Sequence, residues 1–210
     1  MGGLNHRATY GAVWHVELPF AIVVFALIAG TLGVALVRSR LRRGRSPSHK
    51  ASYPAAEILY VCVVAAAAFS LIGLSVTANA SSDPKPAVRV HATAYQWCWR
   101  FDYLGTDVSV SGTCIGGDLP TLELPTGESI HVSLTSADVV HSMWVPYLRF
   151  KMQAIPHITN TFNLKLTSVG TFPARCAEFC GLYHYAMHFR VKAVPPAQFN
   201  SWLHAQERRP

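Results

Sequence analysis

Two long stretches without a charged side chain limit what this chain can become. Residues 18–37 run for 20 positions and residues 58–80 for 23. At about 1.5 Å per helical residue, the shorter one matches the roughly 30 Å hydrocarbon core of a bilayer. As helices inside a soluble protein they would need a large surrounding mass of chain, and nothing else in the 210 residues is big enough to bury both. The pattern predicts two transmembrane helices, over about 15–37 and 57–78, within a helical region covering residues 1–80. Residues 1–13 read as a polar lead without a pattern. A cleaved signal peptide fits the first span poorly, because its basic residues follow the apolar run and the run is too long.

The net charge of +7 suggests a nucleic-acid binder until the charges are located. Residues 38–50, between the two spans, hold six of the 18 Lys and Arg (Arg38, Arg40, Arg42, Arg43, Arg45, Lys50) and no acid. Residues 81–210 carry a net of only +2. The excess is therefore one short loop, which argues for lipid and against nucleic acid as the partner. By the positive-inside rule that loop is cytoplasmic, so both termini and everything after the second span lie on the outer face. The simplest location is a bacterial plasma membrane, with the remaining chain in the periplasm.

Residues 81–87 are a linker by composition. Residues 88–195 read as all-β. The segment 88–94 alternates, as does 97–103, with apolar rings on one side; a turn follows, then a return strand over 109–114. Further short strands are expected at 121–124, 129–135, 143–146, 161–166 and 186–193, with Gly and Pro between them. Short strands at this density predict a β-sandwich or small barrel. The tail, 196–210, reads as a short amphipathic helix carrying Phe199, Trp202 and Leu203, then a basic end.

One run in the β region carries metal chemistry: Cys176-x3-Cys180-x3-His184-x2-Met187. Thiolate and thioether are soft donors and imidazole is borderline, a set that suits copper. Two thiolates four residues apart can bridge two copper ions, with one imidazole for each, Met187 as a weak axial ligand and a backbone carbonyl between the cysteines as its counterpart. That scheme needs a second His from elsewhere in the chain. Other readings stay open at this point. The four positions also share a helix face, although Pro173 and Gly181 oppose a helix there. A structural Cys2His2 zinc site has overlapping spacings, and a Cys176–Cys180 disulfide is a third option. Cupredoxin-type sandwiches take one His from an internal strand and the rest from a late loop, and this chain has that order.

With these features in place, nearly the whole chain resembles subunit II of the haem–copper cytochrome c oxidases. The resemblance implies a membrane α-helical hairpin followed by a cupredoxin-like Greek-key sandwich. The run from Cys176 to Met187 matches the family's binuclear copper loop, called CuA, and the segment 138–146 resembles its His-bearing strand. His141 is then the missing imidazole, ahead of His188, His157 and His131. By the same resemblance Cys176 and Cys180 bridge two copper ions, and His141 and His184 each bind one. Met187 is axial, and Glu178 gives its carbonyl to copper and its side chain to a magnesium shared with subunit I. The haems and a further copper belong to subunit I. Subunit III is a second partner. The expected electron donor is cytochrome c or a membrane-associated cytochrome.

Residues 95–103 resemble the family's aromatic box, which makes Trp97 the residue where electrons arrive, although rings on an alternating strand usually pack a core. Cys98 departs from the family, where an aromatic is usual. If Gly105–Asp107 is a three-residue hairpin loop, Cys98 lies opposite Cys114 and the two can form a disulfide in an oxidising compartment. Glu57, at the start of the second span, matches a family Glu near the mouth of a proton channel. Asp102, Asp107, Asp118, Glu123, Glu128 and Asp138 are candidates for an acidic docking face. No Cys-x-x-Cys-His occurs, so no covalent c-type haem is carried. A quinol-oxidase subunit would lack the copper ligands, nitrous oxide reductase would need a second copper centre, and a tethered copper chaperone would not explain the aromatic box.

Overall fold

In lipid every backbone polar group must be satisfied by the protein itself, and uncharged runs of this length achieve that as helices. The computed structural model describes residues 6–42, 53–79 and 85–208. It forms two helices, α1 (His6–Leu41) and α2 (Pro54–Asn79). Both are long and apolar enough to cross a membrane, and their apolar side chains are exposed. Helix α1 starts well before the expected span and takes in most of the polar lead. Of the basic loop, Arg43, Arg45 and Lys50 lie outside the described residues, as do residues 81–84 of the linker.

The β unit is two five-stranded sheets. One has the order β3-β2-β1-β5-β8: β1 is Val88–Tyr95, β2 Cys98–Tyr103, β3 Ser109–Ser111, β5 Ile130–Ser136 and β8 Asn160–Leu164. The other has the order β4-β10-β9-β6-β7: β4 is Thr121–Pro125, β6 His141–Val145, β7 Phe150–Ala154, β9 Gly170–Cys176 and β10 His188–Val194. Two inner faces make the core. Val90, Ala92 and Ala94 of β1 alternate inward, beside Val132 and Leu134 of the parallel neighbour β5. Trp99, Phe101 and Phe189 meet between the sheets, with ring centroids 5.1 and 5.4 Å from Phe189. Helix α3 (Pro196–Glu207) buries Phe199 and rests Trp202 and Leu203 on the core, as expected of the tail.

Three strand expectations change. β7 and β9 were not foreseen, and β9 is a central strand carrying Cys176. The reading of 97–103 as one strand fails at its first residue. Tyr95 pairs with Cys98, so Gln96 and Trp97 are the two-residue turn between β1 and β2. Trp99, Phe101 and Tyr103 are buried in the core, while Trp97, in the turn, is only partly buried and packs against it. The return strand stops at Ser111. The register Arg100↔Ser111, extended, sets Thr113 rather than Cys114 opposite Cys98. The Cys98–Cys114 disulfide nevertheless forms, closed from a loop in which Cys114 has φ 51°.

Candidate metal centre

The site is assembled where three chain segments end together. β9 terminates at Cys176, β10 starts at His188, and the loop between them carries Cys180, His184 and Met187. Its two ends are tied across the ladder, since Cys176 N donates to Met187 O (2.9 Å). β6 delivers His141 beside the loop, because Met143 pairs with Cys176 and Ala177 N donates to Ser142 O (2.9 Å). A helical stripe is thereby excluded: Cys176 ends a strand, and the loop's only helical turn is a short 3-10 segment, His184–Ala186.

Two half-sets of donors result. Around Cys176 Sγ stand His141 Nδ1 at 3.9 Å and the Glu178 carbonyl at 3.2 Å. Around Cys180 Sγ stand His184 Nδ1 at 3.4 Å and Met187 Sδ at 3.8 Å. The sulfurs are 4.0 Å apart and both thiols are free. His141, Cys176 and Cys180 form a buried group, with ligand atoms mutually within 4.8 Å, able to hold a metal ion. Met187 and His141 are wholly buried.

Charge is arranged to favour a cation. Burial pushes the Cys180 thiol up to about 12, aided by the neighbouring Cys176 sulfur. At Cys176 burial acts in the same direction but is outweighed by hydrogen bonding with His141, and the thiol falls below its ordinary value. Burial depresses His141, yet its contacts with Cys176 and Asp138 win and raise it. Two adjacent thiolates without a metal would repel each other in a dry pocket, and a bound cation removes that cost.

Sequence reasoning did not identify the partner that orients His141. It is Asp138, whose Oδ1 accepts from His141 Nε2 at 2.8 Å. Its Oδ2 accepts from Gln96 N at 2.6 Å, so one carboxylate ties the histidine to the β1–β2 turn. That turn also reaches the loop. Gln96 Nε2 and Trp97 Nε1 donate to Cys180 O at 2.7 and 3.1 Å, and Trp97 packs edge-on against Tyr183 with centroids 4.9 Å apart. Position 181 must be glycine-like: φ is +116°, and a Cβ there would sit 3.1 Å from Gln96 Nε2.

Other expected site residues fall elsewhere. The Glu178 side chain points outward, with Lys151 Nζ 4.0 Å away. It lines an open cavity of about 560 Å³ with Trp144, Lys151, Arg175 and His188. Glu57 is in the first turn of α2, in the other unit, and accepts from Tyr53 N at 3.1 Å. Glu123 does not belong to a docking face. It is buried on β4 and paired with Lys192 of β10 at 3.1 Å. His131 is bound to Asn163 on the outer face of the first sheet.

The family described as cytochrome c oxidase subunit II, periplasmic domain, matches residues 88–194. This chain belongs to that family. Similar proteins include the cytochrome c oxidase subunit 2 of Thermostichus vulcanus, 38% identical over 56% of this chain and 33% of that protein. A probable cytochrome c oxidase subunit 2 of Streptomyces avermitilis is 28% identical over 90% of this chain and 71% of the relative. The chain thus spans about a third of the first relative's length and most of the second's. Among solved structures, the periplasmic domain of subunit II of the Bradyrhizobium japonicum oxidase is similar at a TM-score of 0.54. It is 28% identical, over 60% of this chain and 96% of that one. Membership agrees with the architecture, two apolar helices followed by a cupredoxin-like sandwich, and it implies copper as the metal.

Proposed function

We propose that this chain is the electron-accepting subunit of a cytochrome c oxidase, holding a binuclear copper centre. The observation that carries the reading is the division of the donors into two half-sets. Roughly 2.3 Å zinc–sulfur and 2.0–2.1 Å zinc–nitrogen bonds in one tetrahedron would bring all four Cys and His donors within roughly 4 Å of each other. Here the group within mutual reach is His141, Cys176 and Cys180, and His184 is not part of it. Each sulfur instead has its own imidazole and its own weak donor, which suits two ions sharing two thiolates.

In this reading Cys176, Cys180, His141 and His184 would hold the coppers, with Met187 and the Glu178 carbonyl as weaker donors. Copper bound there would take up and give back single electrons. The chain's own residues fix the donors: β9, β10 and β6 hold the loop at its ends, and burial keeps solvent from Met187 and His141, while Cys176 and the half-buried His184 border the open cavity. Trp97 is the residue through which electrons from cytochrome c arrive, supported by its partial exposure in the β1–β2 turn and its bond to Cys180 O. Phe179, Leu182 and Tyr185, all exposed on the same loop, offer apolar contact to a partner.

The electrons pass to haem in subunit I, where oxygen is reduced and protons are pumped. Subunit III and membrane lipid are further neighbours. Glu178 turns its carbonyl inward and its carboxylate outward, an arrangement that lets the carboxylate meet a magnesium shared with subunit I. Glu57 is assigned to the mouth of the proton channel. The β unit and both termini face the periplasm of a bacterial plasma membrane, with residues 38–50 in the cytoplasm.

The test is electron paramagnetic resonance on the full chain, purified in detergent and loaded with copper. A seven-line pattern, from one unpaired electron shared by two equivalent coppers, is expected. A four-line mononuclear signal, or retention of zinc in place of copper, would overturn the assignment.

A further inference from the structure

We propose that the Cys98–Cys114 disulfide is a positioning device that holds Trp97 against the metal loop. The proposal rests on the reading of Trp97 as the residue where electrons arrive. Trp97 occupies a two-residue turn, and one side of that turn is Cys98. The bond anchors this side to a loop that the ladder does not hold, since β3 ends at Ser111. Within the loop, Thr113 N and Cys114 N both donate to Asp118 O (3.2 and 3.4 Å), a local closure. The Tyr95 hydroxyl reaches Gly112 O at 3.4 Å, a long hydrogen bond, and the disulfide is the covalent link between loop and hairpin. Its sulfurs are buried, and Cys114 Sγ lies 3.3 Å from the carbonyl of His188, the residue after Met187. The bond therefore sits between the start of β2, which presents Trp97, and the start of β10, which closes the metal loop. On the far side of the turn, Gln96 is held by Asp138. The indole is thus set from both flanks, covalently on one and by a carboxylate on the other, so that Nε1 meets Cys180 O. Replacing the bond removes the covalent hold on one flank, leaves the ladder pair Tyr95↔Cys98, and touches no metal donor.

The experiment compares three forms of the intact oxidase complex isolated from membranes: wild type, the double variant Cys98→Ser/Cys114→Ser, and Trp97→Phe. Copper reduction is timed after flash reduction of a ruthenium-labelled cytochrome c, and the copper resonance spectrum is recorded for each. Amide exchange is followed on the full chain in detergent without metal. The double variant should keep the wild-type copper spectrum and slow copper reduction by about tenfold, as expected for a displaced transfer group. Its exchange should quicken at 95–98 and 112–118, and not in β5 or β8. A double variant as fast as wild type, beside a slow Trp97→Phe, overturns the proposal and leaves the reading of Trp97 standing. An unaffected Trp97→Phe overturns that reading, and the proposal with it. If the serines quicken exchange throughout both sheets, Cys98→Val/Cys114→Ala fills the buried space without a covalent bond. The same slowing is then expected, and a wild-type rate would overturn the proposal.

Discussion

Removing the Asp138 carboxylate should weaken copper binding without touching a metal donor. The carboxylate accepts four bonds: Oδ1 from His141 Nε2 (2.8 Å), Val139 N (2.6 Å) and, at the long end, the Ser136 hydroxyl (3.4 Å), and Oδ2 from Gln96 N (2.6 Å). These bonds outweigh burial and hold the carboxyl below its ordinary pKa. With Nε2 engaged, the ring presents Nδ1 to Cys176 Sγ. Asp138 is 31% exposed and His141 0%, so water can take over at Gln96 but not at the imidazole. Most of the effect therefore comes through His141. Partners of ligating histidines are typically worth 10–100-fold in metal affinity, or about 1.4–2.7 kcal/mol. Asp138→Asn can keep its amide oxygen on His141 while its NH2 faces the Gln96 N–H, donor against donor, so it should lose about tenfold. Asp138→Ala loses both and should approach a hundredfold. Titration of the full chain with Cu(II) against a chelator of known affinity reads both. An alanine variant within about twofold of wild type, or an asparagine variant weaker than the alanine one, would refute the reasoning.

Met187→Leu is nearly volume-conserving at a wholly buried site and should cost less than about 1.5 kcal/mol in stability. Copper should still bind, with an altered hyperfine pattern because the thioether beside Cys180 is gone. Gly181→Ala forces a Cβ to φ +116° and into contact with Gln96 and Trp97, and thermal unfolding should show a loss of about 1–3 kcal/mol. The Tyr103 hydroxyl donates to Glu123 O and accepts from Glu123 N, so Tyr103→Phe should cost about 1–3 kcal/mol in denaturant titration. Burial raises the Tyr103 pKa. Above the unfolded value of about 10, the native state keeps a proton that the unfolded state has released. Stability is then complete below about pH 10 and falls as pH rises further. In Tyr103→Phe that alkaline fall should flatten.

The two helices and the late-loop donors were legible because each is written locally, the first in uncharged length and the second in the spacing of Cys, His and Met. β9 was not, although it carries the first cysteine. Its sequence contains Gly170 and Pro173, and proline is normally kept to sheet edges. β9 is central all the same, between β10 and β6, and its conformation is set by those partners rather than by its own propensities. Trp97 was placed one position too far into a strand, because alternation continues through it while the hydrogen-bonded pair Tyr95↔Cys98 stops short of it. Glu123 looked like a surface acid. Only the parallel pairing of β4 with β10 brings Lys192 beside it and lets it be buried. Asp138 stood inside a segment already singled out, but that its carboxylate turns back to His141 is a property of the bend at 137–140.

These placements explain why the site can be rigid although most of its donors lie on a loop. Loops are ordinarily the mobile part of a sandwich. This one is short of freedom at three points. Its ends are joined by Cys176 N to Met187 O, its first residue is carried by a central strand, and its middle is fixed where Gln96 and Trp97 both donate to Cys180 O. The middle contact matters most, because Cys180 is itself the thiol of the second half-set and its carbonyl accepts from both turn side chains. A donor set held in this way keeps nearly the same positions in either oxidation state of a bound metal, which keeps the reorganisation that opposes electron transfer small. In the proposed reading, the indole where electrons arrive and the loop that binds the metal are thereby fixed by the same hydrogen bonds.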